Sequence, residues 1–266
     1  MAPVSRAASD GLELALAQSP YVEWEIVRPR LERGWKPGQH VSVFGPNGYG
    51  KSTVAIELGE LSSQPTIIFI TKKRDRLLSE LPRRGWVLCR TLEQVESALR
   101  PKPAERYFGR RRPAPPPRLV YWPTATGGLR QRRAKLRTLS ERLLDFVYER
   151  GGITLIIDEG LFLTKTLGQS EQVEMLLHEA RSSGSRLVIL SQRPSGLPLS
   201  AYSAPTFLVM FATNEPADLK RLSEIGGGLD PKPLRAELQL LPMYEFVLVA
   251  PRTKPAWALR SSIPPE

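Results

Sequence analysis

The sequence predicts an α/β fold with a mostly parallel central sheet and helices on both of its faces. Two observations lead to this prediction. Strand-like and helix-like segments alternate along the chain, and several of the strand-like segments are continuously apolar, as strands buried on both faces are. The most apolar of them, residues 153–157, reads ITLII. With 266 residues, the chain is long enough to bury a sizeable core in one domain.

Local patterns predict most of the elements in order. Apolar and polar side chains alternate at residues 21–27, which predicts a half-buried strand, and residues 1–20 are expected to be poorly ordered or to form a short helix. Apolar or β-branched runs predict further strands at residues 40–44, 66–70, 86–89, 119–122, 153–157, 187–190, 206–211 and 245–249. Helical patterns predict helices at residues 51–61, 92–99, 129–150 and 171–181.

A segment rich in proline and arginine interrupts this alternation at residues 100–118. Proline removes a backbone donor and fixes φ, so the segment is predicted to be a surface loop without a regular element. The remainder, residues 21–266, is expected to form a single domain that carries this loop.

The chain is strongly basic, with a formal net charge of +11 and a sequence pI of about 10.0. Such a surface favours polyanions, chiefly nucleic acid or anionic lipid. The single cysteine, Cys89, excludes an intramolecular disulfide, and with only His40 and His178 beside it no zinc site can be assembled. We find no secretory signal and no transmembrane segment in the sequence. We therefore expect a cytoplasmic protein, in the host cytoplasm if the protein is viral.

Residues 45–52 satisfy the pattern G-x-x-x-x-G-K-[ST] between a predicted strand and a predicted helix. Its glycines let consecutive N–H groups point at one anion, and the helix that follows adds the positive end of its dipole. In this pattern Lys51 neutralises the β and γ phosphates of ATP, and the Ser52 hydroxyl is a ligand of Mg²⁺. The predicted ATP-binding residues are Gly45, Pro46, Asn47, Gly48, Tyr49, Gly50, Lys51, Ser52 and Thr53.

Two acids, Asp158 and Glu159, follow the apolar strand at residues 153–157. Acids at the end of a buried strand are unfavourable unless they have a partner or a function. Asp158 is predicted to hold Mg²⁺, directly or through water, and Glu159 to polarise the attacking water as general base. A helix N-cap would explain Asp158 as well, but it leaves Glu159 unexplained. The pair therefore indicates an ATPase with a catalytic glutamate.

A polar motif, Ser-Gln-Arg-Pro at residues 191–194, follows another apolar strand, and the helix before that strand ends in Ala-Arg-Ser-Ser-Gly at residues 180–184. An amide at this strand tip can hydrogen-bond the γ phosphate or the lytic water, and Gln192 is the candidate, although a turn glutamine would look the same. In combination, the phosphate loop, the acidic pair and these two motifs resemble the FtsK–HerA group of P-loop translocases. The resemblance covers roughly residues 38–212, and residues 211–227 are similar to the tail of that family.

The resemblance implies a RecA-like P-loop ATPase that assembles into a ring, usually a hexamer, around double-stranded DNA or a related polymer. Within the group, the chain is most similar to the viral genome-packaging branch, whose members are often small single-domain chains. Gln192 then corresponds to the sensor glutamine. Arg181 corresponds to the arginine that reaches into the ATP site of the neighbouring subunit, where it stabilises developing charge. Arg186 is the competing candidate, and an ordinary last-turn arginine is the alternative for Arg181.

Two basic segments are candidates for contact with DNA phosphates. The first lies in the proline-rich segment and the second at the start of the helix predicted at residues 129–150; their arginines include Arg110, Arg111, Arg112, Arg130, Arg132 and Arg133. Cations at a helix N-terminus oppose the helix dipole, which favours an external anionic partner. A solvated helix face or a loop that binds a partner protein would also explain the two segments.

Taken together, these observations predict a ring motor, hexameric or pentameric, that hydrolyses ATP with Mg²⁺ and moves double-stranded DNA. Virus genome packaging, with a portal or capsid-type docking partner, is the leading role, because the sequence shows neither a membrane anchor nor a DNA-reading domain. Three alternatives stay open: an ATP-driven secretion or morphogenesis factor that acts on a protein, another FtsK–HerA-type translocase in conjugation or segregation, and a regulatory nucleotide switch.

Overall fold

The computed structural model describes residues 19–100, 105–107, 110–112, 114–223 and 230–264. Within these ranges, nine strands form one sheet and two more form a separate ladder. The strands of the large sheet are β1 (Val41–Phe44), β2 (Thr66–Phe69), β3 (Val87–Cys89), β6 (Arg118–Tyr121), β7 (Thr154–Ile157), β8 (Arg186–Ser191), β9 (Phe207–Phe211), β10 (Glu245–Ala250) and β11 (Trp257–Ser262). The separate ladder pairs β4 (Glu105–Tyr107) with β5 (Arg110–Arg112).

Helices connect these strands. The α-helices in the described residues are α1 (Trp24–Gly34), α2 (Lys51–Leu61), α3 (Arg76–Ser79), α4 (Leu92–Ala98), α5 (Leu129–Arg150), α6 (Ser170–Ser183), α7 (Ser200–Ser203), α8 (Pro216–Ser223) and α9 (Pro231–Leu240). Short 3-10 turns lie at Leu81–Arg84 and Pro194–Gly196, and a π-helix lies at Phe162–Thr166.

The sheet carries a hydrophobic core on each face. Successive side chains of a strand point to opposite faces, so Ile67 and Phe69 pack on one side with α4, α5 and α6, while Ile68 packs on the other side with α1 and α2. Both clusters consist of apolar side chains that are at most 8% exposed. A sheet covered on both faces explains why its strands are continuously apolar, and the predicted fold class is confirmed.

The strand order is β11-β10-β9-β1-β8-β7-β2-β6-β3, and all neighbours from β9 to β3 are parallel. The phosphate loop and the acidic pair are expected on adjacent strands at the carboxyl edge of the sheet. The observed order corrects this expectation, because the strand before the phosphate loop, β1, does not lie beside β7, the strand before the acidic pair. The strand β8 lies between them, with Phe44 opposite Ser191 and Ile157 opposite Ile189. The parallel arrangement therefore brings three strand tips, and the loops that follow them, to one edge of the sheet.

The N-terminal prediction is wrong in type. Residues 21–27 do not form a strand; apart from an isolated bridge at Tyr21, the segment leads into α1. The buried side chains of this helix, Trp24, Val27 and Leu31, recur at helical spacing and pack beneath the sheet. A short alternating run was outweighed by this longer helical period. Residues 1–18 lie outside the described residues.

The proline-rich segment also differs from expectation. Two short stretches inside residues 100–118, β4 and β5, pair antiparallel, with Arg106 opposite Arg111, and β6 already begins at Arg118. No proline falls within β4 or β5, so neither strand lacks a backbone donor. The side chains of residues 101–113 lie outside the described residues.

The C-terminal part contains three elements that the sequence did not reveal, α8, α9 and β11, whereas the strand predicted at residues 245–249 is present as β10. The helices α8 and α9 follow β9, and β10 and β11 form an antiparallel hairpin that extends the parallel sheet. Among the described residues, no helix combines the length and apolarity needed to cross a membrane.

Candidate active site

A cavity of about 610 Å³ opens where β1, β7 and β8 end. Its lining comes from the phosphate loop, the acidic pair, the segment after β2, the π-helix and the Ser191–Arg193 tip. The lining residues include Asn47, Gly48, Gly50, Lys51, Ser52, Thr53, Lys72, Asp75, Asp158, Glu159, Thr166, Gln192, Arg193 and Tyr244. The structure therefore brings Glu159, Lys51, Gln192, Ser52 and Asp158 together at one place.

The phosphate loop is held open by glycines in conformations that L-residues rarely adopt. Gly48 has φ +80° and Gly50 has φ +101°, and Gly50 is the residue from which α2 starts. Lys51 lies at the first position of α2, and its Nζ donates a 2.6 Å hydrogen bond to the Pro46 carbonyl. Burial lowers the pKa of Lys51 to about 8, although the nearby Asp158 carboxylate raises it. The ammonium group thus closes the loop around the cavity.

The other predicted phosphate-loop residues contribute to the framework. The Gly45 N–H donates to the Ser191 carbonyl at 3.2 Å, which ties the loop to β8. Gly45 has φ +153°, and a Cβ there would lie 2.5 Å from Phe211 Cβ, so only glycine fits. Tyr49 does not line the cavity; its ring packs against both hydrophobic cores.

The two predicted magnesium ligands are in direct contact. The Ser52 hydroxyl donates a 3.1 Å hydrogen bond to Asp158 Oδ1, and the Asp158 side chain is only 2% exposed. A hydroxyl oxygen and a carboxylate oxygen on the floor of a phosphate-sized cavity are the hard oxygen ligands that Mg²⁺ requires. The residues present therefore fit the ion, and Ser52 and Asp158 would hold it.

Glu159 lies one residue beyond Asp158, and its side chain is 28% exposed. Burial raises its pKa above the ordinary glutamate value; the positive charge of Lys72 opposes this rise, and the Asp158 carboxylate adds to it. A carboxylate with a raised pKa at the wall of the cavity is suited to accept a proton from water.

Sequence reasoning missed Lys72 and Asp75. Lys72 Nζ lies 2.7 Å from Asp158 Oδ2, 3.2 Å from Asp75 Oδ2 and 3.8 Å from Glu159 Oε1. Although burial acts to lower it, the pKa of Lys72 is raised by Asp158 and the other two acids. The sequence did contain a signal, because these charged residues directly follow β2, whose tip lies at the same sheet edge.

The tip of β8 carries the predicted sensor. Gln192 is exposed and faces the cavity between the phosphate loop and the acidic pair. Its neighbour Arg193 also lines the cavity and forms a 3.0 Å ion pair with Glu215. The Ser191 hydroxyl donates to the Arg193 carbonyl at 3.1 Å and accepts from the Arg193 N–H, which fixes the turn.

Arg181 lies in the last turn of α6, is exposed and does not line the cavity of its own chain. It lies close to a second exposed arginine, Arg252, whose pKa is lowered by burial and then by the positive charge of Arg181. Two neighbouring guanidinium groups on a surface repel each other, and an anion supplied by another molecule would relieve this repulsion.

Arg186, the competing candidate for a trans arginine, is buried within its own chain. It is 2% exposed, and its guanidinium donates to the carbonyls of Trp35 at 2.7 Å and Lys36 at 3.2 Å. A further hydrogen bond of 3.1 Å runs to the Ser62 hydroxyl, and the group lies 4.6 Å from the centre of the Trp35 ring. Arg186 therefore anchors β8 to the segment before β1.

The basic start of α5 lies against the cavity walls. Arg132 donates a 2.7 Å hydrogen bond to the carbonyl of Thr71, directly before Lys72. Arg133 donates a 2.8 Å hydrogen bond to the carbonyl of Thr166, at the end of the cavity-lining π-helix. Two of the predicted DNA contacts thus form hydrogen bonds within the protein, although Arg133, like Arg130, is exposed. The side chains of Arg110, Arg111 and Arg112 lie outside the described residues.

No protein-family model matches the sequence, and no curated protein does so either. Solved structures do. The chain is similar to the genome packaging NTPase B204 of Sulfolobus turreted icosahedral virus 2, solved with sulfate, at a TM-score of 0.56 and 18% sequence identity, over 86% of this chain and 99% of B204. It is also similar to VirB4 of Thermoanaerobacter pseudethanolicus, at a TM-score of 0.58 and 13% identity, over 85% of this chain and 89% of that one.

A third likeness is to the cytoplasmic domain of the Type VII secretion ATPase EccC of Thermomonospora curvata. Its TM-score is 0.51 at 14% identity, over 86% of this chain and 24% of the other. At such identities the likeness is one of fold. The chain therefore has the RecA-like P-loop fold that these packaging and secretion ATPases share.

Proposed function

We propose that the protein hydrolyses ATP with Mg²⁺ and, as a homo-oligomeric ring of five or six subunits, uses that energy to move double-stranded DNA. Genome packaging in an infected cell, with the ring docked on a portal or capsid-type partner, is the biological role we favour. The packaging NTPase B204, which shares the fold, has been solved in complex with AMPPCP and with ATP-γS.

The residues of the cavity have distinct roles in this proposal. The phosphate-loop amides and Lys51 bind the phosphates, and Ser52 and Asp158 would hold Mg²⁺, which would neutralise part of the phosphate charge. Glu159 accepts a proton from the attacking water. Gln192, at the tip of the intervening strand, orients that water or contacts the γ phosphate. The Glu159 carboxyl carries this proton after the attack and then releases it to solvent through the open side of the cavity.

The observation that carries the DNA proposal is the contact between the basic start of α5 and the cavity walls. Arg132 and Arg133 bind carbonyls of two cavity-lining segments, at Thr71 and Thr166. Arg130 and Lys135 are exposed cations on the same helical turns and can contact DNA phosphates, although Lys135 also donates a 3.3 Å hydrogen bond to the Thr126 hydroxyl. DNA bound there would bear directly on both segments, so its binding and ATP hydrolysis are expected to be coupled.

Linear double-stranded DNA is therefore expected to stimulate ATP hydrolysis by the purified protein. The measurement is steady-state phosphate release with and without DNA, at several salt concentrations, with Glu159→Gln as the blank. A double variant, Arg130→Gln/Lys135→Gln, removes two exposed cations. We expect it to weaken DNA binding at every sequence and to reduce the slope of log K against log salt by about 2.

The matched control is Lys232→Gln/Arg235→Gln, which removes two exposed cations from α9. It is expected to keep the wild-type salt slope and stimulation. Equal losses of DNA binding and stimulation in both double variants would show that the effect at α5 depends only on the net charge of the protein. If DNA does not change the rate of hydrolysis, the ATPase assignment would stand, but a protein would replace DNA as the proposed cargo, as for a secretion or morphogenesis factor.

Arg181 supplies a second test, because we propose that it completes the ATP site of a neighbouring subunit. Arg181→Ala and Lys51→Ala are each expected to abolish hydrolysis in a homogeneous ring. Mixed rings contain interfaces at which an intact Lys51 meets an intact Arg181, so mixing the two proteins should restore part of the activity. Mixtures that stay inactive over all ratios, although mixed rings form, would exclude a trans role for Arg181.

A further inference from the structure

Lys72 is a cavity residue to which the phosphate-loop and acidic motifs give no role. Its ammonium lies among three carboxylates, at 2.7 Å from Asp158 Oδ2, 3.2 Å from Asp75 Oδ2 and 3.8 Å from Glu159 Oε1. The side chain is 30% exposed, and the exposed part faces the cavity that Lys51 and Ser52 also line.

The position of Lys72 is fixed from several sides. Trp122 Nε1 donates a 2.7 Å hydrogen bond to the Lys72 carbonyl, and Arg132 holds the carbonyl of the preceding residue. Asp75 caps α3 by accepting a 3.0 Å hydrogen bond from the Leu78 N–H, so its carboxylate cannot follow a moving lysine. An exposed lysine is usually free to sample many rotamers, whereas this one is built into the cavity wall.

The charges around the cavity show what Lys72 contributes. Asp75, Asp158 and Glu159 supply three negative charges, which Lys51 and Lys72 offset only in part. Without Lys72, Lys51 and Arg193 would be the cations left on the cavity wall, and Arg193 already forms a 3.0 Å ion pair with Glu215. A nucleoside triphosphate carries more negative charge than a diphosphate, and its last phosphate is the one that approaches the acidic pair. The loss of Lys72 is therefore more unfavourable for the triphosphate.

We propose that Lys72 is the residue by which this site distinguishes nucleoside triphosphates from diphosphates. Held between Asp158 and Glu159, its ammonium screens the γ phosphate from both carboxylates and pairs with it. In doing so it loosens its contact with Glu159 and leaves that carboxylate to the attacking water. This inference rests on the proposed ATPase function and deepens it.

The test compares the binding of AMPPCP, which is not hydrolysed between its β and γ phosphates, with the binding of ADP, both with Mg²⁺ and without DNA. Titration calorimetry on the full chain is expected to show that Lys72→Met weakens AMPPCP at least tenfold and ADP less than twofold. Lys72→Arg, which keeps the charge, is expected to retain most of the preference. Lys73→Met removes the same charge from the exposed neighbouring residue, and we expect it to bind both nucleotides as the wild type does.

Equal weakening of AMPPCP and ADP by Lys72→Met would overturn the proposal, since it would indicate a general role in cavity structure. Unchanged binding of both nucleotides would overturn it as well. Thermal unfolding identifies a variant that has not folded, and Lys72→Gln then carries the same expectation. Because these measurements contain no DNA, a failed DNA-stimulation experiment and a failed Lys72 experiment are distinguishable.

Discussion

Glu159→Gln is expected to bind ATP with nearly wild-type affinity and to hydrolyse it about 10² to 10⁴ times more slowly, the range that general-base catalysis contributes. The change removes the proton acceptor but keeps the size of a side chain that is 28% exposed at the cavity wall. Single-turnover hydrolysis and a separate binding titration measure the two effects. Glu171→Gln, on the exposed face of α6, is the matched control and should hydrolyse ATP normally.

The pH dependence of the wild type gives the same assignment independently. Burial raises the pKa of Glu159, and a general base works only in its ionised form. The rate should therefore fall as the pH is lowered through this raised pKa, at a higher pH than an ordinary glutamate would give. The residual activity of Glu159→Gln should not show this fall in rate at low pH. Turnover by that variant near the wild-type rate would remove Glu159 from the base role.

Arg186→Met is expected to destabilise the protein by about 3 kcal/mol, because it leaves the buried Trp35 carbonyl and the part-buried Lys36 carbonyl without their charged donor. It also removes the cation–π contact with the Trp35 ring. For a chain of this size, such a loss lowers Tm by about 6–12 °C. Urea unfolding and differential scanning calorimetry measure the two quantities.

The same substitution at Arg181 is the matched control. Arg181 is exposed, so Arg181→Met should change the free energy of unfolding by less than about 0.5 kcal/mol while it impairs hydrolysis in the ring. A stable Arg186→Met protein would show that water or neighbouring donors satisfy the two carbonyls, and would contradict the anchoring role. These two variants thus distinguish Arg186, which has a structural role, from Arg181, five positions earlier, for which a role in hydrolysis is proposed.

The local chemistry of the site could be predicted from the sequence. The phosphate loop requires glycines, a lysine and a hydroxyl at fixed spacing, so its pattern can be recognised without a structure. The acidic pair can be recognised in the sequence because charged residues at the end of a buried strand are unfavourable unless they have a partner or a function. The helices Lys51–Leu61 and Leu129–Arg150 were bounded correctly since glycines mark a start or an end of each.

Other features depended on tertiary structure. Strand order is not encoded locally, so the position of β8 between β1 and β7 could not be derived from the chain. The helix at Trp24–Gly34 forms because Trp24, Val27 and Leu31 find a surface to cover beneath the sheet. Lys72 gains two of its three acidic neighbours, Asp158 and Glu159, only when β2 and β7 lie side by side.

The sequence by itself determined that this protein carries a phosphate loop, an acidic pair and a polar strand tip, because each of these depends on residues that are neighbours in the chain. The tertiary structure decided which of its arginines are exposed, which strand separates the two nucleotide motifs, and that a lysine lies among the acids. These features depend on residues that are far apart in sequence, and they arise only when the sheet forms between the two hydrophobic cores.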